Sequence, residues 1–335
     1  MLSIIIPTLN EAQQLPRLLR QLQMQREVQL DLIVCDGGSS DDTPMLAQQL
    51  GARVVTSARG RGRQMNAGAA QARGEFLLFL HADSQLQSPT LLSQALATLA
   101  LEPADEIVAG HFPLRFTDTP PQAAGFYRYA EGKTALNRRY TINGDQGLLI
   151  RALHFRELGS YDERLPFLED QRFAERVWAR GRWILLPGQL LTSARRFETE
   201  GRRERYTLMV LIMAMHVSGV DEFFARAPGV YAVQSETGRL DLAPQLRLIR
   251  RILWQRRWRG TLTTLYSVGI FVRENTWQLF YWRDQHHGAT AMPRLAFYDR
   301  WLDRLLRNPL GNATAAVLAC LWFFVWLPLN PPRSR

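Results

Sequence analysis

The strongest constraint in this chain is a rhythm over residues 2–110, where short unbroken apolar runs alternate with longer segments of helical period. Leu2–Ile6, Leu30–Cys35, Arg53–Thr56 and Glu75–Leu80 read as strands, with helices between them over Glu11–Met24, Thr43–Leu50 and Arg63–Arg73. Runs without polar alternation are buried on both faces, so this β-α-β-α order predicts a mostly parallel sheet covered by helices on both sides. Ser88 and Pro89 read as the N-cap and first residue of a further helix reaching Ala100.

In such a sheet ligands gather beyond the carboxyl ends of the strands. Polar sets follow each run: Thr8, Asn10 and Glu11; Asp36–Asp42; Ser57–Arg63; and His81–Asp83. Each has a plain structural alternative, since Asp-Gly-Gly-Ser-Ser makes a turn whatever it binds and Glu11 would complement a helix N-terminus. Their recurrence at four successive strand ends favours a nucleotide site.

Composition narrows the class. With 335 residues, 46% of them apolar, the chain can bury a substantial core, which excludes intrinsic disorder and small disulfide scaffolds. Cys35 and Cys320 lie in separate apolar runs and offer neither a disulfide framework nor a cysteine metal site, in keeping with a reducing compartment. No basic segment precedes Leu2–Ile6, so the start reads as a buried first strand rather than a signal peptide. The formal charge is +10, and the whole excess falls in residues 201–335. Lys133 is the single lysine; every other side-chain cation is an arginine, suited to phosphate contacts and membrane interfaces.

Residues 101–200 add strands at Glu106–Phe112, Asp145–Ile150 and Trp183–Leu186, and a helix over Asp170–Arg180. The texture then changes. Tyr206–Val217 is apolar but too short to cross a bilayer, and Pro244–Arg259 reads as one basic, tryptophan-bearing amphipathic helix. Asn308–Pro332 carries no charge, and its apolar centre, Ala313–Leu329, is a candidate membrane-spanning or membrane-embedded helix. Arg294, Arg300, Arg304 and Arg307 before it outnumber Arg333 and Arg335 after it, which points to a catalytic domain on the cytoplasmic side. The expected organisation is a catalytic domain over 1–231, a basic helical region over 232–307 and the membrane segment over 308–332.

Five stretches in order, Ser3-Ile-Ile-Ile-Pro-Thr-Leu-Asn-Glu11, Val34-Cys-Asp-Gly-Gly-Ser-Ser-Asp-Asp-Thr43, Asn66-Ala-Gly68, Phe79-Leu-His-Ala-Asp83 and Leu168-Glu-Asp170, resemble the family 2 glycosyltransferases of GT-A fold. The combination of His81-Ala-Asp83, Gly144-Asp-Gln-Gly147 and Thr192-Ser-Ala-Arg-Arg196 is similar to a bacterial subgroup carrying a variant metal motif.

The resemblance implies roles. Pro7, Thr8, Asn10, Glu11 and Asp36 would hold the base and ribose of a nucleotide-sugar, with a UDP-sugar foremost. Arg61, Arg63 and Asn66 would face the nucleotide, the arginines suiting its phosphates. Asp83 corresponds to the last aspartate of the family's Asp-x-Asp motif and would bind Mn2+ or Mg2+, with His81 in place of the first aspartate. Asp170 would be the base that deprotonates the acceptor hydroxyl in an inverting transfer, with Glu169 orienting it. Asp145 and Gln146 would lie on the acceptor side. The Gln-x-x-Arg-Trp signature of processive synthases is absent near Arg195 and Arg196, so one sugar is transferred per reaction, to a lipid or membrane-bound glycan. Two alternatives stay open: a nucleotidyltransferase of related topology, or a non-catalytic basic protein binding membrane or nucleic acid. No nucleic-acid partner is expected under the leading reading.

Overall fold

The computed structural model describes residues 1–232, 238–288 and 291–329. The chain divides into two compact units, Met1–Ala194 and Arg195–Arg335. The first contains β1 (Leu2–Thr8), α1 (Leu15–Gln23), β2 (Leu30–Asp36), α2 (Thr43–Gln49), β3 (Arg53–Thr56), α3 (Arg61–Gln71), β4 (Phe76–Phe79), β5 (Gln85–Leu86) and α4 (Leu91–Ala100). It continues with β6 (Val108–His111), β7 (Leu114–Thr117), α5 (Ala124–Thr134), β8 (Leu148–Arg151), α6 (Ala152–Glu157), α7 (Glu169–Arg180), β9 (Arg182–Leu185) and β10 (Leu190–Ser193).

The main sheet has seven strands in the order β3-β2-β1-β4-β8-β6-β9, all parallel except β8, which runs against both neighbours. A second sheet orders β5-β10-β7. This is the α/β, GT-A-like arrangement expected, and the unbroken apolar strands explain it. Leu2, Ile4 and Ile6 pack with Leu15, Leu18 and Leu22 of α1 on one face, while Ile5, Ile33, Leu77 and Phe79 pack with Met65, Phe155 and Phe173 on the other.

One close approach positions the site. A Cβ on Gly68 would stand 2.3 Å from Cys35 Sγ and 2.7 Å from Ile5 Cγ2, so only glycine lets α3 lie this near the sheet. Burial pushes the Cys35 thiol up to about 12, which leaves it a packing group. Gln64 of α3 donates from Nε2 to the carbonyls of Thr8 (2.7 Å) and Cys35 (2.8 Å), tying the helix to the carboxyl ends of β1 and β2.

Several boundaries differ from the sequence reading. Helix α1 starts at Leu15 rather than Glu11, because Asn10–Ala12 is stitched to the following loop: Glu11 N donates to Thr43 Oγ1 (2.8 Å) and Ala12 N to Asp41 Oδ2 (3.2 Å). Helix α4 starts at Leu91 behind Thr90, whose N–H is taken by Ser88 Oγ, so Ser88 closes a turn instead of capping the helix. The strand expected from Asp145 begins at Leu148, since Gly144–Gln146 forms a 3-10 turn ended by Gly147 at φ 65°. The short strands β5, β7 and β10 had no sequence signal strong enough to find them.

The second unit is helical: α8 (Arg195–Glu200), α9 (Arg202–Val217), α10 (Asp221–Ala232), α11 (Ala243–Gln255), α12 (Trp258–Glu274), α13 (Trp277–His286), α14 (Pro293–Phe297), α15 (Asp303–Leu306) and α16 (Pro309–Leu329). The sheet-bearing unit thus closes at Ala194, earlier than residue 231, because β10 is the last strand and only helices follow among the described residues. The single basic helix read over Pro244–Arg259 is two, broken where Arg256 and Arg257 turn extended. Residues 330–332 of the proposed membrane segment, and Arg333 and Arg335 beyond it, lie outside the described residues.

Candidate active site

The carboxyl ends of β1, β2 and β4 bring several of the expected residues to one edge of the first unit. After β4 the chain turns through His81, Ala82 and Asp83, with Ser84 N bonded back to the His81 carbonyl (3.1 Å). His81 Nδ1 lies 2.7 Å from Asp145 Oδ1. With the carboxylate ionised, the proton sits on Nδ1 and Nε2 is the nitrogen left with a lone pair.

Asp170 stands in the first turn of α7. Its Oδ2 accepts from Gly144 N (2.6 Å) and its Oδ1 from Gln171 N (2.8 Å), so both oxygens are oriented by backbone N–H groups. A Cβ on Gly144 would stand 3.0 Å from His81 Nε2 and 3.3 Å from Asp170 Oδ2. The bare face of Gly144 is therefore what lets imidazole and carboxylate approach from two sides. Leu168, at φ 65°, sets the direction in which the chain enters α7.

Beside Asp170, Glu169 is almost fully buried, with Arg61 Nη1 3.7 Å from its Oε1. Burial pushes the Glu169 carboxyl above its usual range; Arg61 pulls it back and Asp170 adds to the rise. Desolvation opposes the Arg61 charge, yet Glu169, Asp170, Asp145 and Asp83 outweigh it and hold the guanidinium above its ordinary value. Arg61 is thus the cation toward which four site carboxylates converge electrostatically. The Tyr161 hydroxyl is likewise pushed well up, first by burial and then by Asp170 and Glu169.

Other expected residues have different employment. Asp36 spends its carboxylate on its own loop, accepting from Gly38 N (2.9 Å), Ser39 N (3.0 Å) and Ser39 Oγ (2.5 Å). Asn10, at φ 57°, accepts from Ser40 N (2.8 Å), and its own N–H donates to Ser39 Oγ. Thr8 is buried with its Oγ1 unpartnered, and Pro7 is half-buried in β1. Asn66 is engaged at both ends of its amide, exchanging bonds with the Tyr161 backbone and donating to Glu163 Oε1 (2.9 Å), so it holds the loop leading to α7 instead of facing a nucleotide. Gln146 is fully buried and donates to the Thr141 carbonyl, which removes it from any acceptor surface. Asp145, expected on the acceptor side, is engaged by His81. The Arg63 side chain is exposed and forms no hydrogen bond or ion pair among the described residues.

The donor set suits a hard cation shared with a substrate. Among the described residues the Asp83 carboxylate makes no hydrogen bond or ion pair, and His81, held through Nδ1, offers Nε2. Among the described residues no three His, Cys, Asp or Glu side chains form a cage. An ion held by one carboxylate and one imidazole would therefore complete its shell with substrate oxygens and water, the usual arrangement where phosphates are co-ligands.

The family model described as glycosyl transferase family 2 matches residues 3–155. A PGL/p-HBAD biosynthesis glycosyltransferase of Mycobacterium tuberculosis is 35% identical over 188 residues, covering 53% of this chain and 70% of the relative. A GalNAc(5)-diNAcBac-PP-undecaprenol beta-1,3-glucosyltransferase of Campylobacter jejuni is 37% identical over 106 residues, 29% of this chain and 33% of the relative. Among solved structures, Staphylococcus aureus TarS 1-349 in complex with UDP aligns with a TM-score of 0.48 at 16% identity, covering 89% of this chain and 91% of that one.

Proposed function

The chain belongs to glycosyl transferase family 2 and is a glycosyltransferase, and from that premise we propose an inverting, cation-assisted transfer of one sugar from a UDP-sugar to a hydroxyl of a lipid or membrane-bound glycan. One observation carries this reading. Asp170, aimed by Gly144 N–H, stands across the bare face of Gly144 from the His81 imidazole that Asp145 holds.

In this reading Asp170 accepts the proton of the acceptor hydroxyl as that oxygen attacks the anomeric carbon. The new C–O bond forms on the face opposite the bond to diphosphate, which breaks with its electron pair leaving on the nucleotide. Arg61 and Arg63, in the first turn of α3, supply positive charge and guanidinium forks for the departing phosphates. Glu169 holds Arg61 in place. Asp83 and His81 would hold Mn2+ or Mg2+, which when bound supplies Lewis-acid neutralisation of the diphosphate. Pro7, Thr8, Asn10, Glu11 and Asp36 would shape the pocket for base and ribose, Asp36 and Asn10 chiefly through the loops they fix.

A lipid or lipid-linked acceptor is supported by the naming of one relative for PGL/p-HBAD biosynthesis and another for an undecaprenol-linked glycan. It also accords with an uncharged C-terminal helix; in this reading the protein works at the cytoplasmic face of a membrane, where nucleotide-sugars are made.

The test is a screen of nucleotide-sugars with Mn2+ present, read as nucleotide release and as binding. Turnover of a UDP-sugar is expected. Folded protein that binds and hydrolyses none of them would sink the reading.

A further inference from the structure

The unit Arg195–Arg335 turns apolar surface outward. Helix α16 carries no charged residue and is long enough to cross a bilayer, yet among its larger apolar side chains only Phe323 and Leu327 are buried; Leu310 is 77% and Leu329 75% exposed. A helix on a water-facing surface would hide this stripe, and an exposed patch of this kind marks an interaction site.

Length alone would permit a span, since 21 residues reach about 32 Å against a hydrocarbon core of about 30 Å. Its neighbours argue otherwise. Near the start, Asn312 Oδ1 accepts from Arg273 Nε (2.7 Å), and Arg273 is buried beside Glu274 and Asp303. Near the end, the guanidinium carbons of Arg250 and Arg203 lie 5.7 and 5.0 Å from the rings of Phe323 and Trp326. From Asn312 to Phe323 the helix rises only about 17 Å, so a crossing would carry charged groups into hydrocarbon. Nor does α16 readily detach from this company: a Cβ on Gly269 of α12 would fall 2.4 Å from the Asn312 carbonyl and 2.7 Å from Ala316 Cβ, a contact built for glycine.

We propose that this unit is a monotopic module that binds the surface of an anionic lipid leaflet, with α16 lying in the plane of the headgroup–acyl boundary and not crossing it. Charge complementarity selects that occupant, because the chain's entire excess of +10 lies in residues 201–335. Exposed Trp258 and Trp301 carry the guanidinium carbons of Arg259 and Arg300 at 5.2 and 5.5 Å from their rings. An indole at the acyl boundary with a cation at headgroup level is the interfacial pairing. The inference rests on the membrane-associated part of the function proposed above, and it fixes the topology of that association.

Two measurements on the full chain test it. With epitope tags at both ends, protease added to inverted inner-membrane vesicles from expressing bacteria removes both tags; a protected C-terminal tag would establish a span and overturn the monotopic placement, leaving membrane association intact. In flotation, the protein binds phosphatidylcholine vesicles containing one quarter phosphatidylglycerol. Arg259→Gln and Arg300→Gln each weaken that binding about five-fold. Absence of binding, or a stable dimer covering the α16 face in lipid-free buffer, overturns the inference and the membrane reading together, while nucleotide-sugar turnover by the same preparation separates that outcome from failure of the transferase assignment.

Discussion

His81 Nδ1 and Asp145 Oδ1 stand 2.7 Å apart, so the imidazole proposed to share a cation site with Asp83 is oriented by a carboxylate from elsewhere in the chain. The pair fixes which imidazole nitrogen faces the site. Asp145→Ala should weaken Mn2+ binding about 10- to 100-fold, as loss of an outer-shell carboxylate commonly does. Mn2+ titration followed by electron paramagnetic resonance checks this, with nitrogen coupling to the bound ion in the wild type and none in His81→Ala. Equal affinity in wild type and Asp145→Ala would remove the positioning role.

Asp170→Asn should fold normally and lose about a hundred- to ten-thousand-fold in kcat, the usual contribution of a general base. The amide keeps one oxygen for Gly144 N–H but has no basicity. Thermal unfolding and donor binding should be near wild type, which separates lost chemistry from lost structure; retained turnover removes Asp170 as the base.

Gly144→Ala tests the geometry without altering any ionisable group. The new Cβ would press on His81 Nε2 at 3.0 Å and Asp170 Oδ2 at 3.3 Å. The two side chains must yield by a few tenths of an ångström, less than the displacement of about an ångström that costs roughly a hundred-fold in rate. The expected result is a smaller fall in kcat, about ten-fold, with little change in Tm.

Asp31 should contribute an acid-sensitive component of stability. Burial raises its pKa, but Arg53 (2.7 Å at closest), Ser3 Oγ and Arg73 N lower it further, leaving it below the ordinary 3.8. A carboxyl with a depressed folded pKa stabilises the protein above its unfolded pKa and loses that contribution as pH falls through the folded one. Asp31→Asn should cost about 2 kcal/mol at neutral pH, and urea unfolding should show a shallower decline below pH 3.8 than in the wild type.

The first half of the fold was legible because β1, β2 and β4 are apolar at most positions, and local pattern alone then predicts a sheet buried on both faces. The strand-end motifs were legible for the same reason, since topology dictates where they must emerge. His81 and Asp83, just after β4, belong to that class, whereas Asp170, in the first turn of α7, was indicated only by the family resemblance. What sequence could not supply were pairings between distant segments. Gln64 gave no signal, because its role lies in two carbonyls of β1 and β2. Asn66 and Asp36 look like ligand-binding residues by motif, yet the fold spends their polar atoms on Tyr161 and on the Gly38–Ser39 backbone.

The apolar C-terminal helix shows the division most plainly. Composition determined that Asn308–Leu329 would be uncharged and helical and that the positive excess would lie in the same part of the chain. Only tertiary structure decided which charges sit against that helix, setting Arg273 at Asn312 and Arg250 at Phe323. Hydrophobic burial is written into local pattern because it depends on a residue's own side chain. Hydrogen-bond and charge partnership is not, because each depends on which other segment the fold brings within about 3 Å.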